Sequence, residues 1–205
     1  MTERAYDIEA IAARYKGVTF RSRLEARHAV FFDTLAFPWS YEAETFFFSD
    51  GTGYMPDFRI QFPRGSRGVE DCYYEVKPSF PTDEEIAKAQ NLTKVTGRPT
   101  YIVYAHFPEL AEGSTWGILA VHPGRPVVLG AIYGWAQCMA CFGYDIRFEA
   151  GRWDACCGQT PKDRSPPLMV AYRRAYAFRF PVNPVTLGEA LAEAFTTYFQ
   201  EDRRG

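Results

Sequence analysis

The chain has 205 residues and a net charge of −2, with 47% apolar and 17% aromatic side chains. That length suits one domain, or one domain with a small appendage, and the apolar share is enough for a real core. Near-neutral charge argues against a general nucleic-acid coat protein, and no run approaches the roughly 18 apolar residues of a membrane helix.

The opening MTERAYDIEA lacks the basic start and apolar block of a signal peptide. A cytoplasmic location with no membrane partner is therefore expected. Residues 7–16 suit a short first helix. Helical spacing places Leu24, His28, Phe31 and Leu35 on one face of a second helix over 21–36. Residues 39–48 read as a strand, with Glu42 and Glu44 on a solvated face, and Asp50-Gly51 begins a hairpin turn. A second strand covers 54–62, where Pro56 favours an edge or a bulge. A third covers 71–77 and stops at Pro78.

Thr82 and Glu85 have the spacing of a capping box, opening a helix that ends near Gly97. Thr100 to Ala105 reads as a compact buried strand. The expected fold class is α/β (α+β): a helix, a three-strand meander, a helix and a strand in a mixed sheet, with a Cys-containing C-terminal extension. The predicted division is a core over 1–110 and an extension over 111–205. In the extension, two strands are expected within 115–135, a Cys-containing loop over 138–157 and a linker over 158–167. Residues 168–180 are ambiguous between helix and strand, and a last helix opens at Thr186.

Tyr54 to Lys77 carries the chemistry. It reads Y-M-P-D-F-R-I-Q-F, a Gly/Arg turn, and then Y-Y-E-V-K. Strand side chains alternate faces, so Glu75 and Lys77 project together while Val76 points away. An antiparallel return brings Asp57 to Glu75 on that face. Two carboxylates suit Mg²⁺ (or Mn²⁺), joined by the Val76 carbonyl, and the Lys77 ammonium would orient a water. Glu25, on the first long helix, is either a further ligand or the third position of a capping box begun by Ser22.

This joint pattern resembles the PD-(D/E)xK nuclease superfamily. It appears as F-R-S-R-L-E around Glu25, Y-M-P-D-F around Asp57 and Y-Y-E-V-K-P around Glu75 and Lys77. Within the superfamily the residues look most like phage-type junction-resolving and transposon-end-cleaving endonucleases. The resemblance spans about residues 19–105 and implies a restriction-endonuclease-like core. It also implies DNA as partner, metal-dependent hydrolysis to 5′-phosphate and 3′-hydroxyl ends, and a host-cell cytoplasm if a phage encodes the chain. Gln90 matches a position where the superfamily often carries a polar active-site residue, and Lys88 stands beside it. Junction cleavage would favour a homodimer. The competing reading is a non-catalytic or partner-dependent nucleic-acid-binding module, such as a recombination or transposition subunit.

Basic clusters at Arg21, Arg23 and Arg27, at Arg64 and Arg67, and at Arg173 and Arg174 are candidate DNA contacts or plain solvated surface. Cys138, Cys141, Cys156 and Cys157 are either four thiolates around a structural Zn²⁺ or reduced thiols. His106 and His122 are substitute ligands, and Cys72 reads as a small core residue.

Overall fold

The computed structural model describes residues 11–104, 117–129, 133–138, 140–148 and 165–178. Over 11–16, the described part of the helix expected over 7–16, its first element corrects that expectation. Within 11–20 the chain makes a hairpin of β1 (Ala13–Tyr15) and β2 (Val18–Phe20), with Ala13 opposite Phe20. Lys16 and Gly17 both take positive φ, 47° and 83°, as a two-residue primed turn requires. Burial of Ala13 and Phe20 on the core then outweighs the weak preference of so short a segment for helix.

Helix α1 (Arg23–Thr34) starts where expected, with the Ser22 hydroxyl accepting the Glu25 N–H. It buries Ala26, His28, Phe31 and Phe32. His28 lies wholly in the core, and burial holds its imidazole neutral, down to about 3. The strand expected over 39–48 is split. β3 (Trp39–Tyr41) ends at Glu42, whose φ of +45° turns the chain away. The chain then forms a separate hairpin of β4 (Phe46–Phe47) and β5 (Gly53–Tyr54). Pro56 separates β5 from β6 (Phe58–Pro63), and a 3₁₀ turn at Gly65–Arg67 leads into β7 (Val69–Lys77).

Helix α2 (Asp83–Thr96) has both bonds of the capping box and ends at Gly97 in the left-handed conformation, φ +67°. It returns the chain to β8 (Thr100–Tyr104), which pairs parallel with β7. Every other ladder among the described residues is antiparallel; the parallel pair needs the helical crossover.

The sheet continues through β9 (Gly117–Val121), β10 (Tyr133–Gln137) and β11 (Tyr144–Phe148). β9 lies where expected. The second strand expected in 115–135 starts only at Tyr133, and β11 occupies part of what read as a Cys-containing loop. Alternation in Tyr144–Phe148 is too short to announce a strand, and pairing with β10 decides it. Helix α3 (Pro166–Ala177) resolves the ambiguous segment and takes in two of the three prolines of the expected linker, Pro166 and Pro167, at a helix start where a missing N–H costs nothing. The last expected helix, from Thr186, lies outside the described residues.

The result is a mixed seven-stranded sheet ordered β11-β10-β9-β8-β7-β6-β3. Strands from both sides of residue 110 share it. Helices α1 and α3 cover one face, burying Phe31, Phe32, Phe58, Tyr74, Trp135 and Tyr172 together. The other face receives α2 through Ile86, Ala89 and Leu92, and the β4–β5 hairpin through Phe48. At roughly 1.5–3 kcal/mol per buried large apolar side chain, these layers rather than surface charges hold the fold. No helix among the described residues is long and apolar enough to cross a membrane.

Candidate active site

Asp57 directly precedes β6, and Glu75 lies near the end of β7. The register pairs Phe58 with Tyr74, which sets the two carboxylate-bearing residues opposite each other. The Asp57 N–H donates to Glu75 Oε2 at 3.1 Å, and the Val76 N–H donates to Asp57 Oδ2 at 2.7 Å. Both carboxylates are buried, 3% and 4% exposed. Glu75 and Lys77 share the face toward α2, while Val76 joins the core on the other side. Lys77 Nζ contacts Glu75 Oε1 at 2.9 Å and Glu85 Oε1 at 3.0 Å.

Burial, and then the neighbouring Glu75 charge, push the Asp57 carboxyl up to about 8; the Val76 N–H and Arg21 pull the other way. Burial works against the Lys77 charge, but Glu75 and Glu85 outweigh it and hold its pKa above the ordinary lysine value. Tyr54 reaches the same pair from β5, its hydroxyl bonded to Glu75 and kept protonated by burial and by that carboxylate.

Glu25 approaches from the start of α1 and adds to the negative potential at Asp57. Its Oε1 accepts the Ser22 hydroxyl at 2.7 Å; its Oε2 accepts the Arg21 N–H at 3.1 Å and the Tyr41 hydroxyl at 2.5 Å. Arg21 Nη2 donates to Asp57 Oδ1 at 2.7 Å. Its Nε lies 2.6 Å from Glu42 Oε1, a charge contact rather than an aligned hydrogen bond. Around this centre the carboxylates of Glu25, Glu42, Asp57, Glu75 and Glu85 face only two cations, Arg21 and Lys77, among the described residues. The chain matches no protein-family model, no curated protein and no solved structure.

No three His, Cys, Asp or Glu side chains converge as a ready metal cage among the described residues. The pair Asp57 and Glu75 nonetheless fits Mg²⁺, which is commonly held by one or two carboxylates with water and phosphate oxygens completing the shell. Asp57, whose proton affinity is raised by burial and by the Glu75 charge beside it, belongs to a donor set short of positive charge.

The remaining expected residues are placed elsewhere. Lys88 makes an i,i+4 ion pair with Glu84, and Gln90 is exposed on α2. The α2 residue that reaches the site is Glu85. Arg23 is exposed near Glu25, and Arg27 stacks over the Tyr176 ring at 5.6 Å. Arg64 binds Glu70 and Asp145, with Arg67 3.8 Å from Asp145. Both sit past the far end of β6, roughly 20 Å of extended chain from Asp57. Arg173 and Arg174 are exposed on α3.

Cys138 is buried and Cys141 half-buried in one turn, closed by the Cys138 N–H to Gly143 carbonyl bond at 2.8 Å. Cys156, Cys157 and His106 lie outside the described residues. His122 packs edge-on against Tyr101, and Cys72 is a core residue as expected. Sequence reasoning missed Tyr41, Glu42, Tyr54 and Glu85. Only Glu85 carried a signal, because the capping box that places it also sets it near the end of β7.

Proposed function

We propose that the chain is a Mg²⁺-dependent (or Mn²⁺-dependent) DNA endonuclease with a restriction-endonuclease-like core of the PD-(D/E)xK kind. The observation that carries this reading is the meeting of Asp57 and Glu75 across β6 and β7, both buried, with the Lys77 ammonium on Glu75. Asp57 and Glu75 would hold the cation. When bound, it would polarise the scissile phosphate and lower the pKa of a coordinated water. Lys77, fixed between Glu75 and Glu85, would orient that water and offset charge developing on the phosphate. Tyr54 fixes the Glu75 carboxylate from the hairpin side, and Glu85 holds Lys77 from α2.

The test is cleavage of linear, nicked, flapped and four-way DNA with Mg²⁺ or with EDTA, alongside Glu75→Gln. Mg²⁺-dependent cutting that Glu75→Gln abolishes is the expected result. No cutting of any substrate, or cutting that survives Glu75→Gln, would refute the assignment.

A further inference from the structure

We infer that Arg21 is a latch on Asp57 that a divalent cation displaces, and that the released guanidinium then grips the scissile phosphate. The inference rests on the nuclease reading and assigns a second role within that site.

The two ligands compete at one carboxylate. Asp57 Oδ2 accepts the Val76 N–H inside the sheet, and Oδ1 is held by Arg21 Nη2 at 2.7 Å. A dication on Oδ1 would stand in close like-charge contact with that guanidinium. Metal binding through Oδ1 therefore works against the Arg21 contact. The Arg21 side chain is 59% exposed, so its head can swing off Asp57 toward solvent while Glu42 and Tyr41 still contact it.

The root of the side chain stays fixed while the head moves. The Arg21 N–H is held by Glu25 Oε2, which the Tyr41 hydroxyl also binds. Glu42 already contacts the same guanidinium through Nε and would retain it once Asp57 lets go. Its left-handed φ of +45° is a strained conformation for a non-glycine residue, and it aims the carboxylate at Arg21 Nε. The Glu42 N–H donates to the Asp57 carbonyl at 2.9 Å, which ties this second anchor to the residue being vacated. A guanidinium displaced by metal and tethered at its base stays beside the cation, where a phosphate oxygen would bind. Its planar donor fork matches phosphate bidentately, as a lysine would not.

The assay is calorimetric titration with Mn²⁺ in the absence of DNA, on wild type, Arg21→Gln and Asp57→Asn. Arg21→Gln should bind Mn²⁺ about fivefold more tightly, the order of an ion pair whose guanidinium side is mostly solvated, read as an equilibrium constant. With Ca²⁺ in place of Mg²⁺, the same variant should bind DNA more weakly, and Arg21→Lys should restore that affinity only in part. Equal or weaker Mn²⁺ binding by Arg21→Gln would overturn the latch while leaving the metal site standing. Wild-type protein with no Mn²⁺ site that Asp57→Asn removes would overturn the nuclease reading and the latch together. A ¹⁵N spectrum of the wild-type arginine side chains covers the case in which Arg21→Gln misfolds. The Arg21 Nε signal should shift on adding Mg²⁺, and an unmoved signal would also overturn the latch.

Discussion

Replacing Asp57 with Asn keeps the shape of a buried carboxylate and removes its charge. In the metal-free protein the Asp57 carboxyl is raised from 3.8 to about 8 by burial and by Glu75. Between those values the folded chain holds a proton that the unfolded chain has released, so wild-type stability falls as pH rises through that window. Full ionisation of Asp57 therefore opposes folding by several kcal/mol, a pKa unit being worth about 1.4 kcal/mol. Relaxation and water entry remove part of that load, which already includes the pull of the Arg21 charge. A net gain of about 2–4 kcal/mol remains for Asp57→Asn near pH 9. At roughly 2–4 °C per kcal/mol for a chain of this size, the melting temperature should rise by about 4–16 °C. Calorimetry in EDTA from about pH 4 to about pH 9 measures it. The gap between variant and wild type should vanish at the acid end and widen toward the alkaline end. Added Mg²⁺ should narrow it by stabilising wild type alone. An Asp57→Asn protein that melts below wild type at the alkaline end in EDTA would refute the reasoning.

Lys77→Ala should lower turnover about 100-fold or more while leaving Mn²⁺ affinity near wild type, because an ammonium is not a ligand; calorimetry and single-turnover kinetics separate the two effects. Glu25→Gln turns an amide NH₂ toward some of the Ser22, Arg21 and Tyr41 donors, so it should cost about 1–2 kcal/mol of stability with cleavage slowed but retained. Abolished cleavage at wild-type melting temperature would instead make Glu25 a metal ligand. Gly143→Ala would drive a Cβ into the Gly65 backbone where the β10–β11 turn meets the β6–β7 turn, and denaturant unfolding should show a loss of about 2 kcal/mol or more. Elemental analysis of the purified protein decides between the two readings of the cysteines: about one zinc per chain if four thiolates share an ion, none if Cys138 is a core thiol.

Much of the frame was legible because its signals are local. Thr82, Glu85 and Gly97 mark both ends of α2 by their own hydrogen bonds and dihedrals. The two-residue period of a strand is enough to put Glu75 with Lys77 and to turn Val76 away. Pro56 and Pro78 interrupt pairing by lacking an N–H, which brackets the segment that carries the chemistry. From these, the β6–β7 pair and the parallel return to β8 follow without coordinates.

The rest depended on distance along the chain. Arg21 meets Asp57 across 36 residues, and no periodicity announces that contact. Glu42 read as a member of a solvated strand face until its left-handed turn showed it aimed at Arg21. Short segments such as 13–20 and 144–148 took strand form only because a partner and a core were present to pair and bury them. The sequence alone fixed which carboxylates and which lysine share a face, because alternation and capping are properties of a few adjacent residues. Tertiary structure alone decided what neutralises those carboxylates, because desolvation and ion pairing depend on groups that only folding brings within hydrogen-bonding distance.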